Sequence, residues 1–164
     1  MTNAPDSTKA VVIERVFDAP IDLVWAMWTH ADHFKAWYGP DGATIPVADM
    51  DVRPGGRRLI SMQMATPNGE MRMWFTGEFL DVVPMTRLVY TESMSDEEGT
   101  ILRAADMGMP PGHPDTTEVT VELAALGGQT TMVLTHAGVP ADSPGAMGWM
   151  MALDKMTALV GSLS

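Results

Sequence analysis

Cysteine is absent from this 164-residue chain, which excludes disulfides and thiolate metal centres. Positive charge is scarce as well: 10 Lys and Arg stand against 21 Asp and Glu, for a net charge of −11. Nucleic-acid binding needs a basic footprint that displaces counterions. Here Lys9, Arg15, Arg53, Arg57, Arg58, Arg72, Arg87 and Arg103 are spread too thinly to make one. An anionic membrane surface is disfavoured on the same ground. No apolar run approaches the roughly 20 residues of a membrane-spanning helix. Residues 1–10 are polar and carry no apolar signal-peptide core. There is no G-x-S-x-G motif, no Cys–His pair and no glycine-rich loop opening a helix after a strand. These absences predict a cytoplasmic protein with no nucleic-acid partner, no membrane span, no metal and no cofactor.

What is present is an ordinary globular balance, with 46% apolar and 19% charged residues. At this length one core is expected. We read residues 1–8 as a disordered start and residues 9–164 as a single domain. Methionine stands out at 16 residues. It fills irregular gaps and suits walls that accept varied apolar partners, although a lineage habit and core filling are the plainer explanation of the count.

The patterning alternates between two periods. Lys9 to Phe17 reads as a strand, with Val11, Ile13 and Phe17 on one face. Pro20 suits a first helical turn, and Ile21, Val24, Trp25 and Trp28 follow with i, i+3, i+4, i+7 spacing. Thr29-His30-Ala31-Asp32 fits a capping box opening a second short helix with Phe34 and Trp37, which Gly39-Pro40 ends. From residue 43 to 126 the pattern is strand and turn. Pro54-Gly55-Gly56 joins strands near 43–53 and 57–65, and Asn68-Gly69 makes a hairpin into 70–83. Strands at 87–94, 116–125 and 129–137 follow, the last two joined across Gly127-Gly128. The Ser95–Asp115 segment, with Gly108, Pro110, Pro111, Gly112 and Pro114, reads as a functional or mobile loop. Ser143 caps a final helix begun by Pro144, carrying Trp149, Leu153, Met156 and Val160 on one stripe. About 19 residues give a rod near 30 Å. The order is an α+β layout with one antiparallel sheet and a long helix laid across it.

That order, with these residues, resembles the helix-grip fold of the START and Bet v 1-like superfamily. More narrowly it resembles the family of the activator of Hsp90 ATPase, C-terminal domain type. The likeness is carried by Phe17-Asp18-Ala19-Pro20, Val24-Trp25-Ala26-Met27-Trp28, Trp37-Tyr38-Gly39-Pro40, Asp51-Val52-Arg53-Pro54-Gly55-Gly56 and Gly77-Glu78-Phe79. Val83-Pro84, Arg87-Leu88-Val89-Tyr90-Thr91 and Leu134-Thr135-His136 add to it. It covers residues 9–163, with a longer and more proline-rich Ser95–Asp115 segment than the family usually has. The resemblance implies a curved antiparallel sheet of six to seven strands wrapped round the C-terminal helix, two short helices after the first strand, and an apolar cavity between sheet and helix.

Alternation agrees with that expectation. Val119, Val121 and Leu123 face inward because Glu118, Thr120 and Glu122 want water, and Met132, Leu134 and His136 make the larger inward set on the partner strand. Met62, Met64 and Trp74 would complete a soft wall facing Trp149, Met150, Leu153 and Met156, with Trp37-Tyr38 at the cavity mouth. Leaving aside Val119, Val121 and Leu123, the other twelve inward residues are the expected ligand contacts. His136 is also the one weak catalytic candidate, an inward imidazole able to act as acid or base. Its plainer reading is a core histidine satisfied by a neighbouring Thr, Tyr or backbone group. Glu78 and Glu92 read as outward-facing, and Arg57-Arg58 as surface charge. His30 and His33 lie at a chelating spacing with no second pair to answer them. His113 reads as solvated.

Nothing among these residues is a positive sign of an enzyme. The leading expectation is a binding protein for a small hydrophobic or amphipathic molecule, lipid or polyketide-like, acting as a monomer or weak homodimer. The family name makes a chaperone partner or protein-interaction module the second reading. A polyketide aromatase or cyclase using the same cavity is the third.

Overall fold

The described residues hold one antiparallel sheet of seven strands, which lie across it in the order first, seventh, sixth, fifth, fourth, third, second along the chain. A computed structural model describes residues 10–103, 106, 114–139, 141 and 143–163. The expected disordered start at 1–8, His113 and the proline-rich stretch of the Ser95–Asp115 segment lie outside the described residues. The strands are β1 (Ala10–Phe17), β2 (Thr44–Met50), β3 (Arg57–Thr66), β4 (Gly69–Val83), β5 (Arg87–Ser95), β6 (Thr117–Leu126) and β7 (Gln129–Ala137). Two short helices, α1 (Ile21–Thr29) and α2 (Ala31–Trp37), connect the two edge strands, and α3 (Pro144–Leu163) closes the chain.

Local sequence explains each of these features. The hairpin between β3 and β4 turns at Pro67-Asn68, one residue before the expected Asn68-Gly69, because Gly69 already pairs with Thr66 as the first residue of β4; the register sets Met62 opposite Met73 and Ser61 opposite Trp74. Register shifts at Thr44/Val47 and Phe79/Asp81 bend the sheet, as bulges do. The Pro54-Gly55-Gly56 corner is held to β4 by Gly55 N–H donating to the Phe79 carbonyl and Phe79 N–H donating to the Gly56 carbonyl, at 2.7 and 2.8 Å. Gly55 has φ +81°, and a Cβ on Gly56 would collide with the Asp51 carbonyl, so glycine is required at both positions.

The core lies between the sheet and the helices. Val119, Val121 and Leu123 on β6 and Met132, Leu134 and His136 on β7 are all buried, as are Trp149, Leu153, Met156 and Val160 on α3. Trp25 and Trp28 bury α1 in the same core, and Trp37 Nε1–H donates to the Met27 carbonyl at 2.8 Å, tying α2 to α1. The Thr29 capping box does not form. Helix α1 runs through Thr29, so its hydroxyl donates back to the Trp25 carbonyl at 2.9 Å, the usual bond of a helical threonine. His30 begins α2 without a side-chain cap. Arg15 reaches from β1 to Asp154 on α3 at 2.9 Å. No helix among the described residues is long and apolar enough to cross a membrane.

Candidate functional site

A cavity of about 710 Å³ lies between the sheet and the first half of α3. Met62 and Met64 on β3 and Met73 on β4 form one wall, and Trp149, Met151 and Ala152 on α3 the other. Tyr38 and Pro40, just past α2, close one side, with Val139 and Met147 opposite. Among the described residues the lining is apolar except for the side-chain polar groups of Tyr38, Glu92 and His136 and the indole nitrogen of Trp149.

His136 is fully committed. Trp149 Nε1–H donates to His136 Nδ1 at 2.9 Å. An indole nitrogen is a donor only, so Nδ1 is unprotonated and the ring proton sits on Nε2. That proton goes to Thr117 Oγ1 at 2.7 Å, whose own hydroxyl donates to the Glu92 carbonyl at 3.2 Å. Burial holds the imidazole below its ordinary pKa; Glu92 opposes this and Arg58 adds to it. The ring is thus a neutral bridge between β7, β6 and α3, combining the core reading of His136 with its inward position.

Beside it lies a buried ionic cluster. Tyr38 hydroxyl donates to Glu92 Oε2 at 2.7 Å and lies 3.3 Å from the Tyr90 hydroxyl. Arg58 Nη1 is 3.5 Å from the same Glu92 oxygen. The Arg58 guanidinium lies 3.9 Å from the Tyr90 ring centroid, a cation–π distance. Burial works against its charge, but Tyr90, Tyr38 and Glu92 outweigh it and hold the guanidinium pKa above its ordinary value. Burial raises the Tyr38 phenol well above its ordinary pKa, helped by Glu92 and Tyr90 and opposed by Arg58. Arg58 Nε and Nη2 have no hydrogen-bond partner among the described residues.

Two expectations are corrected here. Arg58 is 1% exposed and not surface charge, while Arg57 is exposed. Glu92 faces inward, while Glu78 is exposed. The reason is strand parity. Arg58 shares a face with Ile60 and Met62, and Glu92 with Leu88 and Tyr90. Placing Met62 and Met64 inward already required Arg58 inward.

Of the twelve expected contacts, Tyr38, Met62, Met64, His136 and Trp149 meet in the cavity. Trp37 does not: it is fully buried behind Tyr38, edge-on to Trp28 at 4.7 Å. Trp74 opposes Ser61 while Met73 opposes Met62, so Trp74 lies on the other face and Met73 takes its place. Met150 is 46% exposed, turned toward Arg15 on the outer side of α3. The cavity lining ends at Ala152. Beyond it Leu153 and Met156 pack into the closed core with Met132 and Leu134. Gly145, Gly148, Met147 and Met151 escaped the sequence reading because a helix rim carries no periodic apolar signal.

A curved antiparallel sheet gripping a C-terminal helix over an apolar cavity defines a helix-grip protein of the START/Bet v 1-like class. Residues 18–161 match the family described as activator of Hsp90 ATPase homolog 1-like protein, and the chain belongs to that family. No curated protein matches the sequence. Among solved structures it is similar to a Chromobacterium violaceum protein, at 25% identity over 93% of this chain and 96% of that one, with a TM-score of 0.74. A Nitrosomonas europaea protein is similar at 21% identity over 96% and 97%, with a TM-score of 0.76. The AHSA1 protein of Silicibacter pomeroyi is similar at 17% identity over 94% and 99%, with a TM-score of 0.69.

Proposed function

We propose that the chain binds a small hydrophobic or amphipathic molecule in the cavity between the sheet and α3, without transforming it. The observation that carries this reading is the cavity itself, about 710 Å³ and walled by methionine and tryptophan with a few polar groups on one side. Small-molecule sites have this size and this composition, and thioether walls adapt to varied apolar shapes. The bonding of His136 supports a binding role over acid–base catalysis, because neither ring nitrogen is left to meet a substrate. Trp149 lies in the wall, so its emission should report occupancy. Titration with apolar and amphipathic compounds is expected to change the tryptophan fluorescence saturably, and Trp149→Phe should remove most of that change. A flat response across a broad panel would refute the reading.

A further inference from the structure

Among the described residues, three lining side chains carry a hydrogen-bond donor, and each donor is spent inside the protein. Trp149 donates to His136, His136 to Thr117, and Tyr38 to Glu92. Apart from Glu92, the other described lining residues carry only thioether or aliphatic side chains or are glycine. What is left is an acceptor. Glu92 Oε2 takes Tyr38 and faces Arg58, while Glu92 Oε1 takes no hydrogen bond among the described residues. Arg58 Nε and Nη2 have no partner among the described residues, but they are buried, and Arg58 is not among the described residues of the cavity wall. Its guanidinium is boxed by the rings of Tyr90, Phe34 and Tyr38, with centroids at 3.9, 5.6 and 5.8 Å.

We propose that Glu92 sets the class of ligand: the cavity selects apolar molecules whose head is a neutral hydroxyl, and rejects those headed by a carboxylate or phosphate. The inference rests on the reading of the cavity as a ligand site. A hydroxyl supplies the donor that Glu92 Oε1 lacks and needs no donor in return. An anionic head meets a carboxylate with no free side-chain donor and is repelled in a low-dielectric wall. An ammonium head gains little, because Arg58 already offsets the Glu92 charge and the cation must be stripped of water.

Calorimetric titration with four matched probes tests this: decanol, methyl decyl ether, decanoate and decylammonium. Decanol is expected to bind about tenfold more tightly than each of the others, the scale of one hydrogen bond to a charged group. In Glu92→Gln the advantage of decanol over its ether should shrink severalfold, with far-UV circular dichroism unchanged. Equal affinity for decanol and its ether overturns the inference and leaves the ligand reading standing, as does tightest binding of decanoate or decylammonium. Binding of none of the four overturns both. The wild-type series decides the matter even where Glu92→Gln does not fold.

Discussion

Arg58 is the residue whose position says most about the molecule. A guanidinium removed from water is costly unless paired, and this one has a long ion pair with Glu92, a tyrosine face and two nitrogens, Nε and Nη2, with no partner among the described residues. Removing one member of such a pair leaves the other charge buried. Arg58→Ala is therefore expected to lower the unfolding free energy by about 3 kcal/mol. The double change Arg58→Met, Glu92→Leu should recover most of that loss. Urea unfolding measures both, and a double variant as unstable as the single one would show that the charges hold more than each other. His136 gives a second prediction at this scale. Its pKa is lowered by burial from the ordinary 6.5. Above that value both folded and unfolded chains carry a neutral ring, and stability is complete. As pH falls below it the unfolded chain takes the proton first, so stability drains away until the lower folded value is passed. His136→Gln should flatten that part of the stability–pH curve; an unchanged slope below pH 6.5 would assign the loss to other groups.

Among the elements, the turns of the sheet were the most readable, while its bulges at Thr44/Val47 and Phe79/Asp81 left no signal in the sequence. Asn68-Gly69, Pro54-Gly55-Gly56 and Gly127-Gly128 each mark a strand junction, because backbone need there overrides side-chain choice. The stripe of α3 was equally plain, since Trp149, Leu153, Met156 and Val160 recur at helical spacing and are all buried. The site was only half readable. Its members on β3 and β7, Met62, Met64 and His136, follow from alternation, but Arg58 and Glu92 do not follow from charge, which favours water. Parity along β3 and β5 was the stronger signal. Trp74 shows the converse error, where size suggested an inward wall and register forbade it. The rigidity of these junctions can be tested by a pair of substitutions. Gly56→Ala should cost about 1–3 kcal/mol by forcing a Cβ into the Asp51 carbonyl. Gly128→Ala meets nothing nearby and should stay within about 0.5 kcal/mol of the parent. Equal effects in thermal or urea unfolding would contradict the close approach at Gly56.

At the scale of the whole molecule, the sheet and α3 are closed together at one end and held apart at the other. Leu153, Met156 and Val160 fill the closed end, and the cavity takes the space beside Trp149 and Ala152. Anything that binds only the folded state stabilises it by mass action, by about 2.7 kcal/mol at a hundred times the dissociation constant. A cognate ligand is thus expected to raise Tm in step with its concentration. The most direct test of the central claim is native mass spectrometry of the full chain purified from its own host under mild conditions. A population heavier than the bare chain is expected, one that releases a small apolar molecule on collisional activation and is lost when Ala152→Trp fills the cavity. A single species at the mass of the bare chain, with no Tm change against a broad panel of apolar compounds, would contradict it.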